Sequence, residues 1–186
     1  MKCLFRELGP KIGYAVTIEY GPVTTNPGGA SFDDFIRAMD ASPKPIVVCI
    51  KQNFPDEMKN KVGLCGGNMA TIMKKMGAVG VITDGPSRDV DEVREMGLQY
   101  MVTGLTAGHG SFTVNAVNTP IDLCGMSIAP GEVIHLDENG AVKFPASCVP
   151  EVLKRSKILL EREEKSLKRM RDAQSTEEII EAWNAR

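Results

Sequence analysis

The sequence predicts an α/β fold: a parallel sheet with interleaved helices, followed by a compact all-β part and a charged helical tail. Three observations predict it. Up to about residue 104, short β-forming runs alternate with amphipathic segments across brief connections, the rhythm of βαβ units. Beyond Gly104 the pattern breaks into brief β runs divided by turn residues. From Pro150 onward nearly half of the residues are charged, with apolar side chains at helical spacing.

Each element follows in order. Gly13–Glu19 is rich in β-formers and stops at Gly21-Pro22, and Thr24–Ala30 is a loop by composition. Ser31 opens a helix, with Asp34 placed as its capping-box partner and Phe32, Phe35, Ile36 and Met39 on one face. Pro43 and Pro45 end that helix. Ile46–Ile50 is an unbroken apolar run, the pattern of a strand covered on both faces. Asn68–Met76 is helical, with Met69, Ile72, Met73 and Met76 as core filler and Gly77 as the cap. Val79–Ile82 reads as a strand, Asp89–Met96 as a short helix closed by Gly97, and Leu98–Val102 as a further strand.

Leu105–Ser111 is a Gly/Thr/His loop. Between Phe112 and Phe144, turns are marked by Asn118-Thr119-Pro120, Ala129-Pro130-Gly131 and Asp137-Glu138-Asn139-Gly140, the last predicting a hairpin. In the tail, Glu161/Lys165 and Glu164/Lys168 have i,i+4 spacing. Val152, Leu153, Leu159, Leu160, Leu167 and Met170 form its apolar stripe, and Ser175 with Glu178 predicts a second capping box before a helix carrying Trp183. That stripe fits either a helix packed one side on the domain or an oligomer contact. The chain thus divides into an α/β domain, residues 1–149, and a C-terminal helical extension of it, residues 150–186.

Composition narrows the function. The 186 residues carry a formal net charge of −2, which offers no electrostatic reason to expect nucleic acid as a ligand. No apolar run is long enough to cross a bilayer, and Met1–Arg6 lacks a signal-peptide h-region, so a cytoplasmic protein that binds no membrane is expected. Five cysteines with wide spacing and no C-x-x-C read as free thiols in a reducing compartment. A catalytic cysteine would need His109 or His135 beside it.

Two segments carry chemistry. Gly63-Leu64-Cys65-Gly66-Gly67-Asn68-Met69 is a glycine-rich turn entering a helix, where exposed N–H groups favour an anion; it lacks the pattern of a nucleotide-phosphate loop. Thr83-Asp84-Gly85-Pro86-Ser87-Arg88-Asp89 leaves the carboxyl end of a strand, where ligands of α/β proteins collect. An adjacent arginine and aspartate serve equally as a surface pair or a helix cap.

The run Gly66-Gly67-Asn68-Met69-Ala70-Thr71, twenty residues between Gly67 and Arg88, and Asp84-Gly85-x-x-Arg88-Asp89 closely resemble the RraA-like family. That family comprises the regulator of ribonuclease activity A and the class II 4-hydroxy-4-methyl-2-oxoglutarate aldolases. Gly13-Tyr14-Ala15-Val16-Thr17, Pro130-Gly131-Glu132, Asp137-Glu138-Asn139-Gly140 and Val142-x-x-Pro145 extend the resemblance over most of the chain.

The resemblance implies a swivelling β/β/α fold, assembled as a homotrimer or hexamer with sites between subunits. It implies that Arg88 grips the carboxylate of an α-keto acid, that Asp89 holds Mg²⁺ or Mn²⁺ largely through waters, and that the backbone from Gly66 through Gly67 and Asn68 to Met69 contacts the pyruvyl group. These roles suit the groups: guanidinium matches carboxylate, and a hard cation suits carboxylate and water. The activity implied is a metal-dependent lyase acting through a pyruvate enolate, as oxaloacetate decarboxylase or aldolase. A non-catalytic regulator that binds a protein partner such as a ribonuclease is the alternative. A third, methyl transfer to a quinone, finds no S-adenosylmethionine-type glycine motif. Two features depart from the family. The chain has Gly67 where the aldolases have an acidic residue, which favours decarboxylation over aldol cleavage. The sequence also begins almost at the first strand, so the family's N-terminal helical stretch is expected to be either absent or not included in it.

Overall fold

The computed structural model describes residues 1–23 and 29–185, so most of the expected loop at Thr24–Ala30 lies outside the described residues. The chain forms two compact units, Met1–Ala146 and Ser147–Arg186.

The first unit is built on a mixed sheet. Strand β1 (Lys2–Cys3) and a 3-10 turn (Arg6–Leu8) lead into the long β2 (Lys11–Gly21). Helix α1 (Phe32–Ala41), β3 (Ile46–Gln52), the single turn α2 (Asp56–Lys59), α3 (Gly67–Lys75), β4 (Ala78–Thr83), α4 (Val90–Glu95) and β5 (Gln99–Val102) follow. Strands β6 (Thr113–Val117), β7 (Ile121–Leu123), β8 (Met126–Ile128), β9 (Val133–Leu136) and β10 (Ala141–Phe144) complete it. The sheet order is β1-β5-β4-β3-β2-β9-β10, and β6 also pairs with β2. Strands β2, β3, β4 and β5 run parallel, as the alternation predicts.

The length of β2 gives it two sets of neighbours. One edge pairs with β3 from Tyr14 to Tyr20. The other pairs antiparallel with β9 over Lys11–Tyr14 and with β6 over Ile18–Gly21. Gly13 sits where β2 passes closest to β3: a Cβ there would stand 2.8 Å from the Ile46 carbonyl carbon. On the far side of the sheet, β1 closes β5, with Leu4 N–H donating to Tyr100 O at 2.9 Å. The buried Gln99 amide fastens that edge, donating to Phe5 O at 2.7 Å and accepting from Phe5 N–H at 3.3 Å.

Both faces of the sheet are covered. Ile46, Val48 and Ile50 pack with Phe35, Met39, Ala70, Met73 and Val93 under the helices. Val47 and Cys49 face the other way, against Ile121, Leu123, Ile128, Ile134 and Leu136 of the later strands. The unbroken apolar run of β3 is therefore the middle of a β/β/α sandwich. Of the methionine stripe, Met73 is fully buried, while Met69, Ile72 and Met76 pack at its margin.

Local signals explain the ends. Ser31 and Asp34 form the expected reciprocal capping box on α1. The Asp137–Gly140 turn joins β9 to β10, with Leu136 opposite Ala141. Asn118 and Gly131 take left-handed φ of 56° and 80° at the other two predicted turns.

The second unit is two helices, α5 (Val149–Asp172) and α6 (Thr176–Asn184), packed on each other. Ser175 Oγ accepts from Glu178 N–H at 3.2 Å, but the Glu178 carboxylate takes Gln174 N–H at 2.7 Å instead of closing the box on Ser175. Glutamate is one methylene longer than the aspartate at Ser31 and reaches one residue further back. On α5 the i,i+4 ion pair that forms is Glu151–Arg155 at 2.6 Å. Glu161/Lys165 and Glu164/Lys168 are not within ion-pair distance among the described residues, as exposed pairs compete poorly with water. Leu153, Leu159, Leu160 and Leu167 are exposed on this chain.

Truncating the central strand with Ile50→Ala should cost about 2–5 kcal/mol in urea unfolding, because both layers lean on β3. Acid should destabilise the fold as well. Glu132 is held below its usual range by hydrogen bonds from Lys143 and Ala129 N–H, and Asp137 by the Asn139 N–H. Groups with depressed folded values stabilise the fold above the ordinary carboxylate range, about pH 4, and lose that contribution as pH falls through the folded value. Glu132→Gln should flatten the melting-temperature profile below that pH.

Candidate functional site

The site forms where the ends of β3 and β4 meet two turns. The chain leaving β4 reaches Arg88 and Asp89, and the turn from Gly63 rises into α3. Hydrogen bonds join them: Arg88 Nη1 donates to Gly63 O at 2.7 Å. Asp89 Oδ2 accepts from Gly67 N–H at 2.8 Å and lies 3.4 Å from Arg88 Nε. Asp89 occupies the N-cap position of α4 yet makes no side-chain cap bond there. Its backbone is left-handed, with φ 57° and ψ 42°, a conformation that costs an ordinary residue about 1–2 kcal/mol and that aspartate tolerates better. That backbone turns the carboxylate towards α3.

The two glycines of the turn are set by this closure. A Cβ on Gly66 would stand 2.4 Å from Asp89 Oδ2 and 2.7 Å from Arg88 Nε. A Cβ on Gly67 would stand 2.0 Å from Glu92 Oε2. Glu92 therefore fills the space that a side chain at 67 would claim. Sequence reasoning missed it; its signal was the i,i+3 spacing from Asp89 on a short helix.

Gly66, Gly67, Arg88 and Asp89 come together. Asn68 is exposed, and the Met69 side chain packs against the helix-side core, so Met69 offers the site its backbone alone. The helical ladder of α3 starts with Ala70 N–H donating to Gly66 O, which leaves the N–H groups of Asn68 and Met69 ahead of it.

A further layer holds the turns rigid. Ser87 Oγ donates to Cys65 O, Ser87 N–H to Gly104 O at 3.0 Å, and Gly63 N–H to Gly108 O at 2.9 Å. Gly108 itself admits no side chain, since a Cβ would lie 2.0 Å from Lys61 O. The Gly/Thr/His loop thus clamps the glycine-rich turn. Asp84 is buried at the end of β4, accepting from Gln52 N–H at 2.8 Å and from Lys51 and Lys59 Nζ at 2.7 Å each.

At the site's floor Cys65 lies 2.9 Å from Tyr100 OH, and burial pushes its thiol up to about 12, which disfavours the thiolate. His109 Nδ1 is 2.7 Å from Gly110 O and its ring stacks on Phe112; His135 lies within β9.

For a metal, the donors are few. Among the described residues no three His, Cys, Asp or Glu side chains gather as a ligand set. Asp89, with its side chain 40% exposed and Glu92 beside the same turn, suits a hard cation that keeps most of its waters. It does not suit a cation needing a full protein cage.

A β/β/α sandwich with an arginine–aspartate pair facing a glycine turn at its strand ends defines a class of proteins. The RraA-like family model (Aldolase/RraA) matches residues 1–143, and the chain belongs to that family. It is 26% identical over 125 residues to an uncharacterized protein of Methanocaldococcus jannaschii, covering 67% of this chain and 60% of that one. It is 28% identical over 86 residues to the 4-hydroxy-4-methyl-2-oxoglutarate aldolase of Thermus thermophilus, covering 46% of this chain and 52% of the aldolase. The chain thus spans less than two thirds of the length of these relatives. Among solved structures, Streptomyces coelicolor RraAS2, described as an unusual member of the RNase ES inhibitor RraA protein family, superposes with a TM-score of 0.71 at 25% identity. That match covers 87% of this chain and 78% of RraAS2.

Thiol accessibility tests the description of the floor. Brief iodoacetamide treatment of the native protein at pH 8 should alkylate the exposed Cys124 and Cys148, while Cys65 and Cys49 react only after denaturation. Peptide mass spectrometry reads the outcome directly.

Proposed function

We propose that this chain is a divalent-metal-dependent lyase that breaks a carbon–carbon bond of a short α-keto acid, releasing pyruvate. The observation carrying the proposal is the Arg88–Asp89 pair, tied by separate hydrogen bonds to the carbonyl and the N–H of one glycine turn. A surface ion pair needs no such fixing.

The residues divide the work. Arg88 spends one N–H on Gly63 O and turns its Nε towards Asp89, and its remaining Nη donors can engage the substrate carboxylate. Asp89, with Glu92 nearby, would hold Mg²⁺ or Mn²⁺, which when bound supplies positive charge against the developing enolate oxygen. The first-turn N–H groups of Asn68 and Met69 add fixed dipoles to the same end. Glu92, in the space vacated at Gly67, takes the hydroxyl proton that retro-aldol cleavage must lose. Decarboxylation of oxaloacetate removes no such proton. The site is completed in a homo-oligomer, a trimer or hexamer, in the cytoplasm.

Glu92→Gln should lower aldol cleavage of 4-hydroxy-4-methyl-2-oxoglutarate by about 10²–10⁴-fold and oxaloacetate decarboxylation far less. Arg88→Ala should abolish both above the metal-only background. Asp89→Ala should remain folded and lose Mn²⁺ binding in a paramagnetic relaxation titration. Chelator-resistant activity in that variant would contradict the assignment. A wild-type protein inert towards every keto acid, with and without metal, would support the second reading, a protein-binding regulator, which the likeness to RraAS2 favours.

A further inference from the structure

The C-terminal unit leaves an apolar face bare. Helix α5 has 24 residues and is about 36 Å long, whereas the nine residues of α6 span about 13 Å. α6 returns along the last turns of α5, where Glu181 and Ala182 share a cleft with Arg169 and Ala173. It therefore does not reach the first half of α5. Along that helix Leu153, Leu160 and Leu167 recur every seven residues, and they are 55%, 63% and 47% exposed. Ser156, Glu163 and Met170 follow each leucine by three, so the six residues are the a and d positions of one heptad seam.

The charges beside this seam select its partner. Lys157, Glu164 and Arg171 flank it on one side, and the uncharged Val152, Leu159 and Ser166 on the other. Among the described residues neither Lys157 nor Glu164 belongs to an ion pair; that of α5 is Glu151–Arg155. Two copies of α5 laid parallel would set Glu163 against Glu163 and gain no flanking pair. Laid antiparallel about a point between Glu161 and Arg162, they set Leu153 on Met170, Ser156 on Leu167 and Leu160 on Glu163. Lys157 of each copy then stands about 3 Å along the axis from Glu164 of the other, so two opposite-charge pairs form. A slide of one heptad brings Lys157 against Lys157, or in the other direction Glu164 against Glu164. A single register thus joins leucine layers with opposite charges.

We infer that α5 is a self-recognition helix, through which two copies of this chain pair antiparallel about a two-fold axis. The pairing also covers the flank that α6 leaves open. α6 of each copy comes to lie beside Val152 and Leu159 of the other, next to a groove of about 330 Å³. Leu159, Arg162, Glu163 and Ser166 line that groove, and the Ser166 hydroxyl is buried with no hydrogen-bond partner among the described residues. A two-fold contact is isologous and doubles any ring that the α/β units form, so the assembly is even-numbered. The inference does not depend on the lyase reading of Arg88.

Sedimentation equilibrium of the full chain at micromolar concentration tests it. Wild type should sediment with an even number of copies. Lys157→Glu and Glu164→Lys each turn both flanking pairs into repulsions. Either should weaken the two-fold contact at least about tenfold and halve the mass on dilution. The double variant, Lys157→Glu with Glu164→Lys, should restore the wild-type mass. Lys154→Glu, on the far face of α5 from the seam, should leave the mass unchanged. All three side chains are exposed, so the helix itself stands in every variant. An odd-numbered wild-type assembly overturns the inference, since a two-fold seam cannot close one. Single reversals that leave the mass intact, a double variant that fails to restore it, or an equal loss with Lys154→Glu overturn it as well.

Discussion

The parallel pairing of β3 with β4 is the constraint on which the site depends. With Ile50 opposite Thr83, the last residues of β3 come level with the chain leaving β4, and Asp84 meets Lys51, Gln52 and Lys59. From that anchored point the chain needs only four residues to reach Arg88. A one-residue slip would send Val47 and Cys49 to the helix side and remove the post on which the turn is built. The register is held because both faces of β3 are buried in different cores.

The functional turn is held from three directions. Arg88 fastens it through Gly63, Asp89 through Gly67, and the following loop through Gly108 and Ser87. Backbone donors and acceptors do most of this work, so the arrangement depends on glycine at 66 and 108 more than on bulky side chains. Rigidity of this kind lets a small number of polar groups act in concert without a deep cavity.

The sequence made much of the frame legible, for physical reasons. An apolar run such as Ile46–Ile50 reads clearly because a strand buried on both faces tolerates no polar residue. Ser31 and Asp34 read clearly because a capping box is a local bond. The two-residue β1 and the single-turn α2 are too short to carry a period, and β2 extends past its β-rich centre because β9 and β6 pair with its ends. At the site, Arg88 and Asp89 were legible from their motif and their place after a strand. Glu92 was missed because its i,i+3 spacing from Asp89 is a weak signal on so short a helix, and its place is set by the volume it shares with a missing side chain at 67. The Met69 side chain turns into the helix-side core because a helix turns its faces by about 100° per residue, so neighbours in sequence diverge in space.

The buried amide of Gln99 has a consequence of another kind. The outer rim of β5 would otherwise present a row of unpaired backbone groups, a template on which a second molecule's strand can dock. Two residues of β1 are a slender cover for it. Gln99 supplies the fastening that so brief a strand lacks, gripping Phe5 by both its N–H and its carbonyl. This one side chain therefore keeps the rim of β5 paired, from a position remote from the arginine–aspartate pair.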